Sequence, residues 1–255
     1  MGVNLQYDMV LILFGLFIVS ILYSSVGHGG ASGYLAVLSL TNYASKDNVW
    51  LKQHVWFLNL IVAGIAFYHY KRAGFHNSKL TKPFIVASIP AAFIGGVLKI
   101  NGEIYDLFLS FTLIWAAYKI LKIIDIKSNN INSLNNNQAY LWGGSIGFFS
   151  GIIGVGGGIF LSPIMLMKRW GDVKTVAATA SVFIFVNSLS GIIGTGISGH
   201  LELDYSLLSL FGFSVIFGGF IGSLYGAKFA PKSRVRVLLS IVLIVAAAKR
   251  VFGLF

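Results

Sequence analysis

Of 255 residues, 56% are hydrophobic and only 11% charged, well under the roughly one-quarter charged share of soluble globular domains, so a water-soluble fold is excluded. The formal charge of +11 does not indicate nucleic acid, because the bases lie in short clusters between apolar runs rather than along one solvated face. The absence of cysteine excludes disulfides and thiolate metal sites without reporting a compartment.

Taken in order, residues 1–9 contain no Lys or Arg. They lack the charged start of a cleavable signal peptide and are expected to stay on the mature protein. Residues 8–40 are apolar but broken by Gly27-His28-Gly29-Gly30-Ala31-Ser32-Gly33. Apolar runs then cover 51–70, 84–100 and 104–126. An Asn- and Ser-rich stretch, 127–138, reads as a solvated linker. The second half repeats the plan. Residues 140–167 are broken by Gly154-Val155-Gly156-Gly157-Gly158 and are followed by runs at 177–197, 207–229 and 235–255. These runs match the length of membrane-crossing helices. They do not alternate as the roughly ten-residue strands of a membrane barrel would. The expected fold is an all-α integral membrane protein.

The halves resemble each other. Gly27-x-Gly29-Gly30 aligns with Gly154-x-Gly156-Gly157, Phe93-Ile94-Gly95 with Phe220-Ile221-Gly222, and Leu113-Ile114-x-Ala116-Ala117-x-Lys119 with Leu243-Ile244-x-Ala246-Ala247-x-Lys249. One transmembrane domain of two repeats, 1–126 and 139–255, follows. Loop charges orient them. The clusters Lys71, Arg72, Lys79, Lys82, then Lys119, Lys122, Lys127, then Lys168, Arg169, Lys174, and finally Lys228, Lys232, Arg234, Arg236 are basic. Glu103 with Asp106, and Glu202 with Asp204, mark base-poor loops. The positive-inside rule puts the basic loops in the cytoplasm.

Basic loops flank 140–167 on both sides, so this segment enters and leaves on one side. Its arms of about 14 and 10 residues are too short to span about 30 Å, which predicts a re-entrant hairpin with the glycines at its tip. Residues 8–40 then form a hairpin from the opposite side. Each repeat becomes one Gly-broken re-entrant hairpin plus three transmembrane helices, and the odd number of crossings makes the repeats inverted. Lys46 and Lys52 fall on the base-poor side and run against this assignment; two parallel four-span halves are the alternative.

Broken backbone at membrane depth is tolerated only inside protein or beside a wet cavity. The second arms restart as helices at Ala31 and Gly158, and helix N-termini attract anions through free N–H groups and a partial positive charge. Ser24, Ser25, His28 and Ser32 lie near the first tip, Ser150 and Ser162 near the second. Lys52, Trp56 and Asn59 share one helical face, as Thr179, Phe183 and Asn187 do more loosely. The candidate substrate-binding set is Ser24, Ser25, Gly27, His28, Gly29, Gly30, Ala31, Ser32, Lys52, Asn59, Gly154, Gly156, Gly157, Gly158, Thr179 and Asn187. His28 can act as proton-coupling group, anion ligand or cap on a backbone carbonyl. Asn59 and Asn187 can instead glue helices, and Gly95, Gly96, Gly218, Gly222 and Gly226 read as packing surfaces. His54, His69, His76 and His200 show no i, i+3 or i, i+4 pairing, so neither a metal site nor a cofactor is expected. No nucleophile–base dyad suggests an enzyme.

The paired Gly-x-Gly-Gly segments resemble the TauE/SafE sulfite exporter family, also called the toluene sulfonate uptake permeases. So do Ala178-Thr179-Ala180-Ser181 leading into Phe185-Val186-Asn187-Ser188-Leu189-Ser190-Gly191, and Gly218-Gly219-x-x-Gly222-x-x-x-Gly226. The resemblance covers nearly the whole chain. It implies secondary transport of sulfite, thiosulfate or organosulfonates such as sulfoacetate and toluenesulfonate across a bacterial cytoplasmic membrane. The alternatives are a passive anion channel or a non-transporting membrane subunit. The expected partners are the small sulfur anion and the lipid bilayer, with protons as a candidate coupling ion and no nucleic acid; a homo-oligomer is compatible with this reading.

Overall fold

The structure, a computed structural model, describes residues 2–39, 41–98, 131–231, 233–234, 237–238 and 241. The run at 104–126, most of that at 235–255, the third repeat match, and Glu103, Asp106, Lys119, Lys122, Lys127, Lys232 and Arg236 lie outside the described residues. Among those described there are helices and turns and no strand.

Among the described residues eight α-helices follow in order: α1 (Gly2–Ser24), α2 (Ala31–Ser39), α3 (Asn48–Arg72), α4 (Ser78–Val97), α5 (Asn136–Ile153), α6 (Gly158–Met167), α7 (Val173–Ile197) and α8 (Tyr205–Leu224). Asn42–Ser45 forms a 3-10 turn, and Tyr225–Phe229 continues α8 as a π turn. Side-chain caps set the polar starts. Asn77 accepts from the Lys79 and Leu80 amides, Asn135 from Asn137, Asp172 from Lys174 and Thr175, and Asp204 from Leu207. Each satisfies N–H groups that a helix start leaves without an intrahelical partner. Residues 49–72, 78–97, 173–197 and 205–229 are long and apolar enough to cross a membrane, and large apolar side chains such as Leu141, Ile197, Phe213 and Phe229 face outward. The all-helical membrane fold expected from composition is the one observed.

The short second arm expected after the second glycine run is observed, but the first arms are longer than the sequence reading gives, and α1 with 23 residues is long enough to span about 30 Å. The second arms have 9 and 10 residues, about 15 Å at 1.5 Å per residue. The first arms have 23 and 18 residues. Asn135 caps a helix whose first turn is Asn136-Asn137-Gln138, so α5 begins inside the stretch read as linker; a polar first turn is invisible to a hydropathy reading.

Two helix pairs lie side by side in the same direction. Along α1 and α8, Ser214 Oγ donates to the Leu13 carbonyl over 2.6 Å, and Gly218, Gly222 and Gly226 press on the carbonyls of Phe17, Ile21 and Ser25. Along α4 and α5, Gly143, Gly147 and Gly151 press on Phe84, Ser88 and Ala92. Both registers advance four residues on each helix, and small residues let the backbones approach closely. Gly95 meets the Phe148 carbonyl as Gly222 meets that of Ile21, at the same spacing that aligns the two glycine runs. Each broken segment therefore packs against a helix of the other half.

Helices α3 and α7 form the centre and run antiparallel. The start of α3 touches the α7–α8 loop, where the Glu202 and Asp204 amides donate to Gln53 Oε1 (2.8 Å) and His54 Nε2 (2.9 Å). The end of α3 touches the start of α7, with Tyr70 packed on Ala177 and Ala178. Residues before α5 and after α6 share one face, since Asn132 donates to the Arg169 and Lys168 carbonyls at 2.8 and 3.0 Å. The segment after α2 lies on the other face, with Tyr43 stacked on Trp50 and edge-on to Phe211.

Gly222→Ala is expected to lower stability by about 1–3 kcal/mol, because its methyl would enter the Ile21 carbonyl and overpacking outweighs helix propensity. Gly144→Ala has only Ala87 at 3.8 Å and should be neutral or stabilising by up to about 1 kcal/mol. Thermal unfolding of both variants in detergent checks the contrast.

Candidate functional site

The two breaks are built alike. After α1, the Val26, Gly27 and His28 amides fold back onto carbonyls of Tyr23 and Ser24; after α5, the Gly154 amide folds back onto Ser150. Gly27 and Gly154 both have positive φ (76° and 87°), as do Gly30 and Gly157 (101° and 80°), a region that side chains disfavour. Space imposes the same demand. A methyl on Gly27 would enter the Ala177 carbonyl, and one on Gly154 would lie 2.6 Å from Lys52 Cβ.

Their depth follows from what they touch. Gly29 and Gly156 both face Asn59 and Ile184, which are each the twelfth residue of the 25-residue helices α3 and α7. The breaks therefore lie midway along the two longest described helices. At each break a helix starts. Tyr34 is the residue whose amide reaches the Gly30 carbonyl, and Phe160 and Leu161 reach that of Gly157. The amides of Ala31, Ser32 and Gly33, and of Gly158 and Ile159, precede these first intrahelical donors. Both N-termini thus bring N–H groups and positive dipole ends to the middle of the molecule.

His28 joins the two breaks. Its Nε2 lies 3.1 Å from the Gly158 carbonyl and 2.9 Å from Ser162 Oγ. The carbonyl can only accept, so Nε2 donates in that pairing, and the ring caps the second break in the third of its expected roles. Its Nδ1 is buried with no hydrogen-bond partner among the described residues.

Nδ1 has company. Tyr34 Oη, Trp56 Nε1, Asn59 Oδ1, Ser150 Oγ, Asn187 Nδ2 and Asn187 Oδ1 are also buried without partners among the described residues. Four of the side chains touch break glycines: a methyl would lie 2.5 Å from the Tyr34 ring at Gly30, 2.9 Å from Asn59 Nδ2 at Gly156, 3.3 Å from Ser150 Cβ at Gly157 and 3.2 Å from His28 Cδ2 at Gly158. A methyl on Gly191, four residues beyond Asn187, would lie 2.6 Å from the Trp56 indole. A buried polar atom left unpaired is unfavourable by about 1–3 kcal/mol. An indole N–H such as Trp56 Nε1 can only donate, and the two hydroxyls are ready donors. Lys52, on the same face, places Nζ 5.3 Å from the Trp56 ring and donates to the Leu98 carbonyl over 3.5 Å.

Other expected residues serve the scaffold. Ser24 and Ser25 donate to Ile21 and Leu22 of their own helix, and the Ser25 carbonyl accepts from Tyr70 Oη over 2.6 Å. Ser32 Oγ pairs with Tyr23 Oη at 2.8 Å, and Thr179 with Thr81 at 3.1 Å between α4 and α7. Ala31 is the buried first residue of α2. Asn59 and Ile184, both at mid-helix, are the two side chains that meet Gly29 and Gly156, and Asn187 lies about one turn further along α7. Trp56, Tyr34, Ile184 and Ser188, whose Oγ lies 3.4 Å from Asn59 Nδ2, were not legible as site residues. Only Trp56 had a signal, one turn after Lys52 and on the face of Asn59. Among the described residues no three His, Cys, Asp or Glu side chains cluster as metal ligands do.

The family model described as Sulfite exporter TauE/SafE matches residues 11–250. The chain belongs to that family. It is 31% identical over 237 residues to the probable membrane transporter protein y4hK of Sinorhizobium fredii, covering 91% of this chain and 94% of the relative. A probable membrane transporter protein of Methanocaldococcus jannaschii is 27% identical over 274 residues, covering 95% and 97%. The probable membrane transporter protein YunE of Bacillus subtilis is 32% identical over 111 residues, covering 43% and 40%. No solved structure matches the chain. As a TauE/SafE member with several membrane-length helices, it is a multi-pass membrane protein of a transporter family.

Removing the cross-link between the breaks should be measurable in this TauE/SafE protein. His28→Ala leaves Ser162 and Gly158 without their partner and should reduce stability by about 1–3 kcal/mol. His28→Gln, whose amide can donate from a similar position, should lose less. Unfolding midpoints in detergent distinguish the two, and equal losses would contradict the capping role.

Proposed function

We propose that the protein is a secondary transporter of small sulfur-containing anions, such as sulfite, thiosulfate or a sulfonate, binding the anion between the two glycine breaks. The observation that carries this reading is a set of buried polar side chains without partners among the described residues, of which Tyr34, Asn59, Ser150 and His28 adjoin the break glycines at mid-depth. Trp56 Nε1, Ser150 Oγ, Tyr34 Oη and Asn187 Nδ2, with the amides at the starts of α2 and α6, offer hydrogen to a ligand rich in acceptor oxygens. The described acidic side chains Asp47, Asp172, Glu202 and Asp204 lie at caps and loops, away from this centre.

Inverted repeats give such a site two-sided access. Three features support them: the antiparallel course of α3 and α7, entry of the two broken segments from opposite faces, and the exchanged contacts of Gly95 and Gly222. On the positive-inside rule the face carrying Lys71, Arg72, Lys79, Lys168 and Arg169 is cytoplasmic. Rocking of one repeat against the other would open the breaks first to one face and then to the other. His28 is the ionisable group placed to couple this to protons, because protonation of Nδ1 would add a donor while Nε2 keeps its cap.

In proteoliposomes, Asn59→Ala and Asn187→Ala should each reduce saturable sulfite flux by at least about tenfold, the loss expected when buried hydrogen-bonding groups at a binding site are removed. Elution as a folded species separates this from misfolding. Undiminished flux would overturn the site, and flux that never saturates would indicate a channel.

A further inference from the structure

Lys174 is read from sequence as a loop charge, but it is only 7% exposed, the same as Lys52. The two stand toward opposite ends of the α3–α7 pair, Lys52 in the second turn of α3 and Lys174 in the first turn of α7. Lys52 Nζ lies 5.3 Å from the Trp56 ring and donates to the carbonyl of Leu98, just past α4. Lys174 Nζ lies 5.0 Å from the Phe75 ring and donates over 3.0 Å to the carbonyl of Ala227, in the turn that continues α8. Lys52 adjoins one break directly, and Lys174 lies one turn from the residue that adjoins the other. Lys52 Cβ meets Gly154, and Ala177, one turn beyond Lys174, meets Gly27.

The basic face supplies an approach to Lys174. A cavity of about 520 Å³ opens there, lined by Phe75, His76, Asn77, Lys79, Trp170 and Thr175 among others. Phe75 carries Lys174 on its ring, and Thr175 is the next residue on α7, so the cavity wall and the buried ammonium are in contact. Holding an ammonium away from water is unfavourable unless dipoles or anions compensate it. One such group on each side of a centre made of neutral donors suits the passage of an anion.

We propose that this cavity is the basic-face vestibule of the anion path, and that Lys174 is the waypoint between vestibule and first break, as Lys52 is on the opposite side. The inference rests on the transport reading above, and it adds a residue and a compartment to it. Phe75 and Thr175 form the partition the anion must pass. Lys174 then meets it before Gly27 and His28 do.

The test is sided kinetics of sulfite flux in vesicles of defined orientation. Lys174→Met should raise KM for sulfite presented at the basic face by about tenfold, the worth of one charge-assisted hydrogen bond, and change KM from the other face by less than about twofold. Lys52→Met should show the reverse. Equal effects from both faces, as loss of a purely structural contact would give, or no effect from either, would overturn the waypoint. The chain has no cysteine, so Thr175→Cys provides a second measurement should Lys174→Met fail to fold. A membrane-impermeant anionic thiol reagent added at the basic face should block flux through it; full modification with unchanged flux would overturn the vestibule. Wild-type protein that carries no sulfite from either face would remove the transport reading itself, and this inference with it.

Discussion

Everything in the molecule depends on keeping interrupted backbone inside a membrane without stranding its polar groups. A helix satisfies its own amides and carbonyls, and a break exposes several at once, each unfavourable by several kcal/mol in hydrocarbon. The chain answers by enclosing both breaks between α3 and α7. Gly29 and Gly156 rest on the same two side chains, Asn59 and Ile184, so lipid reaches neither. The glycines follow from this enclosure as much as from backbone conformation. Gly27 lies against a carbonyl and Gly154 against a lysine stem, and any side chain at either place would push the central helices apart.

The same need explains the flanking pairs. A broken helix cannot hold its own position, because its short second arm has too few residues to anchor it. Here α1 and α5 are clamped along their lengths by α8 and α4, with glycines at four-residue intervals bringing backbones into direct contact. In hydrocarbon there is no hydrophobic drive between helices, so close van der Waals packing supplies the association. Both glycine stripes, Gly143-x-x-x-Gly147-x-x-x-Gly151 and Gly218-x-x-x-Gly222-x-x-x-Gly226, belong to the second half. That half therefore provides the smooth surface in each pair, although the pairing itself exchanges the halves evenly.

What the sequence made legible follows from the range of each signal. Apolar run length and glycine clustering are local, and among the described residues they located both breaks and the cores of the long helices, though α4 begins six residues before its apolar run. Cap chemistry is local too, yet Asn135 was read as linker because its polar neighbours resemble solvated loop. Lateral contacts are not local. Ser24, Ser25 and Ser32 stand close to a break in sequence, but their hydroxyls are taken by Ile21, Leu22 and Tyr23. Tyr34 and Ile184 reach the breaks through helix packing that no spacing announces. Asn59 was legible as a polar face residue of its helix, whereas Ile184, which shares its contacts with Gly29 and Gly156, carried no polar signal. His28 shows the same limit. Its place in a glycine run was visible, and its partners Gly158 and Ser162, from the other half, were not.

The chemistry at the centre can be argued from what it lacks as much as from what it holds. A fixed charge at this depth would bind an opposite ion tightly and release it slowly, since little solvent screens the pair. Neutral donors behave differently. Trp56, Ser150, Tyr34 and Asn187 lose stability while unpaired, so the enclosed site is expected to admit water or ligand in place of standing dry. An anion that displaces such water exchanges one set of hydrogen bonds for another of similar strength, and the net preference stays modest. Modest preference suits a site that must also let go. In the proposed site the helix N-termini add attraction for negative charge without adding a counterion that would hold it, and the buried lysines stand toward the ends of α3 and α7, away from that centre.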